Sequence, residues 1–427
     1  LDVTVPAGDH SVTLDVRANA VGNNFAVSGI ENSPIAVYVN DLHHSDLFVM
    51  SERTRSYNVN LADLPAGTHR VELRDARDLT GGGGALPEIT SARQQVLAGL
   101  DALVARHAPV VEARWTPAFA AGAPAEQTHS DVPLLQIAVV EPADHGLRRL
   151  RYYLLSSNED TSGFPFGTIM RKFGRTADYE LMYEAWVDDA GKLAHSKFQG
   201  PMHIRRPFEG ERMGERPVLR VATRNGLFSS QSFGLTPRWS EAPVARYAET
   251  PTDREVMAAD PWSFTLMGKE NLREGRTAAR GTIPRDNTIA YDAREHLYFE
   301  ASDPARKTME AARSVTAHMA DGSRVTFPVP KEDFRPPPHG LPPRTTAIAL
   351  PPNVPSGQIT ALDLPPGTVF TLDDDFKVRH IPLSDTRRGR EALVMPDAAP
   401  VAAPRHARHE IGNNQAVTAS SPTARYS

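Results

Sequence analysis

The chain has no cysteine among its 427 residues. That absence excludes disulfides, thiolate zinc sites, iron–sulfur ligation and a cysteine nucleophile. No window approaches the roughly eighteen uninterrupted apolar residues of a membrane-spanning helix. Charge of one sign does not dominate either: 47 Lys and Arg stand against 52 Asp and Glu, a net charge of −5. No whole-chain field therefore points to nucleic acid or to an anionic membrane. Familiar catalytic signatures are missing as well. There is no Gly-x-Ser-x-Gly elbow, no His-Glu-x-x-His, and no strand–Gly-x-Gly-x-x-Gly–helix unit. The glycine run Gly81–Gly84 lacks the Lys-Ser/Thr pair that completes a phosphate loop.

What is abundant is proline, with 36 residues, beside 29 glycines. Both interrupt helices and supply turns, so the composition predicts a mainly β protein of many short strands. The length predicts two or three domains. The sequence opens on Leu1 and runs at once into a strand pattern. This reads as a mature chain after signal-peptide removal or as an excised fragment, and a secreted or periplasmic location is expected.

Alternation is clearest in the first eighty residues. Val3, Val5, Val12, Leu14 and Val16 alternate with polar neighbours, as a half-buried strand pair requires. A turn-then-strand phrase occurs twice, as Pro6-Ala7-Gly8-Asp9-His10 leading to Val12 and Leu14, and as Pro65-Ala66-Gly67-Thr68-His69 leading to Val71 and Leu73. With Val37-Tyr38-Val39-Asn40-Asp41 between its copies, this phrase resembles the small β-sandwich modules appended to secreted carbohydrate-active proteins. The resemblance covers residues 1–76 and carries over no sugar-binding residue. Residues 77–90 then read as a glycine-rich linker. A helix is predicted from Ser91, with Ser91 and Gln94 as a capping box and Val96, Leu97, Leu100, Leu103 and Val104 on one stripe.

Residues 91–240 are predicted to hold that helix and an antiparallel β domain, sandwich or partly closed barrel. Its strands are expected at Leu134–Val140, Leu150–Leu155, Tyr179–Val187, Val218–Thr223 and Leu227–Leu235. Asp188–Gly191 and Asn225-Gly226 are hairpin loops. A mixed continuation is expected over 241–334, with a short helix at Pro304–Ala317. A proline-rich linker follows over 335–358, a small β unit over 359–395, and a disordered tail over 396–427.

Three constellations could carry chemistry. On a strand over Asp178–Asp188, Tyr179, Leu181, Tyr183, Ala185 and Val187 share an apolar face, and Asp178, Glu180, Met182, Glu184 and Trp186 share the other. Neighbours on one face lie roughly 7 Å apart, so Asp178 and Glu180 suit the separation of about 6.5–9.5 Å used by inverting glycosidases. Trp186 offers a ring for a sugar to stack on. The blander account is an acidic wet face paired with Arg171, Lys172 or Arg175. The second constellation is the loop Ser156–Gly163, whose Asn158, Glu159 and Asp160 suit calcium or a turn. The third is His203 beside Arg205 and Arg206, which suits proton abstraction from a uronic acid with Tyr183, Arg175 and Asn225 as companions. Pro133–Arg238 carries 15 Lys and Arg against 12 Asp and Glu, a local excess of cations.

No cofactor is implied beyond calcium, which Asn158–Asp160 or Asp373–Asp375 would admit. His43-His44-Ser45-Asp46 looks metal-like, but neighbours on a strand face opposite ways, so joint ligation needs a turn. The expectation is an exported protein acting on a polysaccharide, as a lyase or glycoside hydrolase. Catalysis would rest on His203, Asp178, Glu180 and Tyr183, with Trp186, Arg175, Arg205 and Asn225 holding substrate. The alternative is a glycan-binding or cell-surface protein without catalysis.

Overall fold

The apolar alternation of the N-terminal residues builds seven strands in the computed structural model. These are β1 (Asp2–Val5), β2 (His10–Asn19), β3 (Ser33–Val39), β4 (Leu42–Val49), β5 (Arg55–Asn60), β6 (Gly67–Asp75) and β7 (Glu88–Ala98). The structure describes residues 1–27, 29–80, 84–112, 132–159, 169–170, 173–223, 226–234, 237–260, 262–278, 289, 296–301, 314–328, 344–351, 354, 358–364, 368–371, 379–382 and 393–394. β1, β6, β3 and β4 lie side by side in one sheet, and β5, β2 and β7 form another. Val3, Leu14, Val16, Ile35, Val37, Leu47, Val59 and Val71 from both sheets meet in one buried core. Each repeated phrase turns on a left-handed glycine, Gly8 (φ 90°) or Gly67 (φ 137°). In each, the histidine reaches back to the turn: His10 Nδ1 lies 3.2 Å from the Ala7 carbonyl and His69 Nε2 lies 2.8 Å from that of Pro65.

Of the helix predicted from Ser91, Leu100, Leu103 and Val104 do lie on a helix, but Ser91–Ala98 is the end of β7, paired with β2 along its length. The strand carries a bulge: Ala18 pairs with Ile89 while Arg17 pairs with Ser91, so Thr90 is an extra residue. Gln94 is no capping residue: its amide accepts from the Thr4 N–H at 2.9 Å and donates to the Thr4 carbonyl at 2.6 Å. Gly99 (φ 56°) ends the strand, and only then does a short helix α1 (Gly99–His107) begin.

Eleven further strands follow: β8 (Val110–Glu112), β9 (Pro133–Val140), β10 (Arg148–Ser156), β11 (Asp178–Val187), β12 (Leu193–Gln199), β13 (Arg205–Pro207), β14 (Arg212–Met213), β15 (Arg216–Val221), β16 (Phe228–Ser229), β17 (Arg238–Trp239) and β18 (Ala245–Tyr247). The first sheet continues from β4 through β17, β8, β15 and β14, with β16 on β15. A six-stranded sheet runs β13-β12-β11-β10-β9-β18. The expected linker at 77–90 therefore leads into a strand of the N-terminal core. Leu1–Ser156 and Tyr179–Thr250 belong to one compact unit. Hairpins form where turn chemistry predicts them, at Asp188–Gly191 and between β15 and β16.

A buried polar seam fixes β15 within this unit. The fully buried Arg216 donates to the Asn60 carbonyl at 2.8 Å, the Ala108 carbonyl at 3.1 Å, Ser240 Oγ at 2.7 Å and Asp63 at 3.1 Å. His44 adds a second contact to Asp63 at 3.1 Å and sits 2.9 Å from Ser45 Oγ. A bulge makes this possible: Tyr38 pairs with His43 and Val37 with Ser45, leaving His44 over. His43 turns to Asp46 at 3.0 Å, so the two histidines serve different carboxylates. Burial alone would raise the Asp63 pKa, but the hydrogen bond and charge of His44, with the charge of Arg216, outweigh it and lower it from 3.8 to about 2.

Ser157–Asp178 and Pro251–Val401 form a second unit. It holds helices α2 (Asp253–Ala259) and α3 (Trp262–Arg273) and strands β19 (His296–Ala301), β20 (Ser314–Met319), β21 (Arg324–Pro328), β22 (Arg344–Ala349), β23 (Ile359–Leu364), β24 (Thr368–Thr371), β25 (Arg379–Pro382) and β26 (Leu393–Val394). Two four-stranded sheets order them as β22-β19-β25-β26 and β21-β20-β23-β24. Ser314–Ala317, predicted helical, is strand, because Val315 and Ala317 alternate inward. Within the predicted proline-rich linker, Arg344–Ala349 is β22, paired with β19. The strands of residues 359–394 share sheets with earlier ones and do not form a separate unit. The tail over 396–427 and Asp373–Asp375 lie outside the described residues.

Candidate functional site

The acidic strand predicted at Tyr179–Val187 is present as β11, in the interior of the six-stranded sheet between β10 and β12. Cross-strand pairing sets Glu184 opposite Lys197 and Trp186 opposite His195, and β12 sets Gln199 opposite Arg205. These six side chains therefore share one face of the sheet. Arg149 on β10 joins them, bonded to Glu184 and 3.3 Å from Glu141. Arg205 approaches Glu184 to 3.5 Å.

That face is not uniformly wet. Met182 and Glu184 are buried, and Glu184 sits beneath the guanidinium groups of Arg149 and Arg205. Burial disfavours the Arg149 charge, yet Glu184 raises its pKa overall. The half-buried Trp186 ring stacks on His195 at 4.4 Å and 16°. Arg149 lies 5.1 Å from the ring and the Lys197 ammonium 5.7 Å. One ring face is thus taken by histidine, with two cations close to the ring.

Tyr183 belongs to the other face. It is fully buried, 6.2 Å from Tyr152 and 5.6 Å edge-on to Phe208, with Arg212 5.8 Å from its ring. Burial raises its phenol pKa. Tyr183, expected beside His203, thus lies on the face of β11 opposite to Glu180, which His203 approaches.

Glu180, Gln199 and His203 do come together. The Gln199 amide nitrogen donates to Glu180 and stands 3.2 Å from His203 Nδ1, while the Glu180 carboxylate stands 3.4 Å from the same Nδ1. The same ring nitrogen thus faces both an amide and a carboxylate. His203 sits in the tight turn Pro201–Ile204 between β12 and β13, closed by the Ile204 N–H on the Pro201 carbonyl at 3.5 Å. Met202 (φ 61°) and His203 (φ 58°) both adopt the left-handed conformation that such turns normally give to Asn and Gly. Each costs on the order of 1 kcal/mol or more.

Asp178 and Arg175 sit elsewhere, in the second unit. Arg175 is buried, bonded to Asp253 and to the Ala177 carbonyl, and 3.5 Å from Glu159. Burial works against its charge, but Asp253, Glu159 and Asp178 outweigh this and hold its pKa above the ordinary value. Asn158 donates to Glu274 at 2.9 Å, and Asn271 donates to Thr176 Oγ1 at 2.7 Å. Asp178 is buried in the field of Arg175, and Glu180 contacts Gln199 and His203. Asn158 is tied to Glu274, just past α3, and Glu159 stands beside Arg175. Asp253, Asn271 and Glu274 escaped sequence reading, although Thr252 and Glu255 spell the capping box that launches α2.

Arg171, Lys172, Asp160 and Asn225 lie outside the described residues. Among the described residues, no three His, Asp or Glu side chains converge to hold a metal ion, and no helix is long and apolar enough to cross a membrane. No family model matches the chain, and no curated protein or solved structure is similar to it.

Proposed function

We propose that this chain is an exported carbohydrate-active protein that holds an anionic polysaccharide on the Trp186 face of the six-stranded sheet. The support is the donor set on that face. His195 and Lys197 are exposed, Arg205 is half-exposed, and Arg149 is partly exposed beside Trp186. These groups present N–H donors and positive charge around one aromatic ring, the combination that uronate or sulfate groups on a sugar chain require. Glu184 orients Arg149 and Arg205, so the guanidinium groups are pre-positioned and little side-chain entropy remains to be lost on binding. The N-terminal β-sandwich, in this reading, is scaffold and accessory module.

The single observation that carries binding over cleavage is the scatter of the expected acid–base set. Asp178, Tyr183 and His203 stand in three different environments. The hydrolase or lyase reading keeps one observation in its favour, the Glu180–His203 contact at 3.4 Å. Proton abstraction there uses the tautomer in which Nδ1–H donates to Glu180 and Nε2 is the base. A panel of neutral and uronate-containing polysaccharides decides between the readings. Retarded migration of the protein in gels containing the acidic polymers, with no new ultraviolet-absorbing unsaturated ends and no new reducing ends, is the expected result. Unsaturated ends that vanish in His203→Ala favour the lyase reading instead. No retardation by any acidic polymer removes the binding proposal.

A further inference from the structure

We infer that the β12–β13 turn is a membrane-contact tip that seats its apex in the headgroup region of an anionic lipid surface. Residues 201–207 are all exposed, so the turn projects from the sheet edge. Its apex is apolar: Met202 is 83% exposed and Ile204 47% exposed. Immediately behind the apex come Arg205 and Arg206. Arg205 pairs across the hairpin with Gln199 and Arg206 with Phe198, so the two cations lie on opposite faces of the ribbon and collar it. His203 adds a third nitrogen donor between the two apolar residues. The next carboxylates along the chain, Glu209 and Glu211, stand beyond the end of β13.

The backbone supports the same assignment. Two consecutive non-glycine residues in the left-handed region mark a turn whose sequence is not chosen for turn stability. Asn-Gly would relieve it, and Met-His places a long apolar side chain at its outermost point. A convex tip cannot enclose a small ligand, and a lipid interface accommodates it without a complementary pocket. Charge complementarity selects anionic lipid: cations near such a surface gain from its negative potential, and apolar apex residues gain from leaving water. Arg205 also belongs to the Trp186 face, so what separates this inference from the glycan proposal is Met202 and Ile204, which take no part in that face.

The test is co-sedimentation of the full chain with vesicles of phosphatidylcholine alone and with about one-quarter phosphatidylglycerol at low salt. Partition into the acidic vesicles only is expected. It should fall roughly tenfold in the double variant Met202→Asp with Ile204→Asp and severalfold in Arg206→Glu. Thermal melting checks that each variant is folded, and retention of acidic-polysaccharide binding by the aspartate variant separates this result from the glycan proposal. Absence of partition by the unaltered chain overturns the inference. So does partition that high salt abolishes but the aspartate pair leaves unchanged, since that is adsorption without an apex.

Discussion

Two arginine–carboxylate assemblies in the first unit use the same chemistry to opposite ends. Arg216 is fully buried, and its guanidinium is spent on Asn60, Ala108, Ser240 and Asp63. Arg149 and Arg205 share Glu184 but keep partly exposed guanidinium groups beside Trp186 and Lys197. Water access makes the difference. Where every donor is matched inside the protein, the pair fixes chain geometry and has nothing left to offer. Where donors remain at the surface, the buried carboxylate becomes a bracket that aims them outward.

The largest effect should come from breaking the buried assembly. Arg216→Met removes from Asp63 its charged partner, leaving it only His44, and strips the Ala108 carbonyl of its side-chain donor; it is expected to destabilise the first unit by about 3–5 kcal/mol in denaturant titration. A loss below about 1 kcal/mol would show that the seam is incidental.

Next comes acid. The folded pKa of Asp63 lies below its ordinary value, so its contribution is present above pH 3.8 and is lost as pH falls toward 2. The shift corresponds to about 2 kcal/mol. Asp63→Asn should therefore lower the melting temperature at pH 6 and converge on the parent near pH 2. Parallel curves across that range would contradict the assignment.

The strained turn should respond in the other direction. Replacing Met202 with Asn and His203 with Gly is expected to stabilise the chain by about 1–2 kcal/mol. A destabilised double variant would mean that the left-handed pair is held by contacts stronger than its strain.

The smallest stability effect belongs to the open assembly. Lys197→Gln with Arg205→Gln should leave stability within about 1 kcal/mol, because both cations are at the surface and Arg149 still pairs with the buried Glu184. The same change should weaken acidic-polysaccharide binding at least tenfold, a dissociation that the Arg216 seam cannot show.

How much of this could be read from the sequence depends on range. Short-range chemistry was legible: the alternating strands, the Asp188–Gly191 hairpin, and the extended run of β11 follow from turn residues and period two. What failed was long-range. Ser91–Ala98 reads as the start of a helix because Ser91 and Gln94 spell a capping box and Val96 and Leu97 continue the stripe of α1, whereas pairing with the distant β2 holds it as strand. Tyr183 and His203 read as companions until alternation assigns them to opposite faces. Asp178 reads as a partner of Glu180, whereas Arg175 captures it with Asp253, some 75 positions along the chain. The Glu184 bracket was half-visible: its strand and charge are local, but Arg149 and Arg205 come from neighbouring strands.

The most direct test of the glycan-binding face is an isothermal titration of a polyuronate into the chain at low and at physiological salt. Saturable binding that weakens steeply with salt, persists in Met202→Asp and is lost in Lys197→Gln with Arg205→Gln is the predicted result. Binding that ignores salt and survives loss of both cations, or equal affinity for a neutral polymer of the same length, would contradict it.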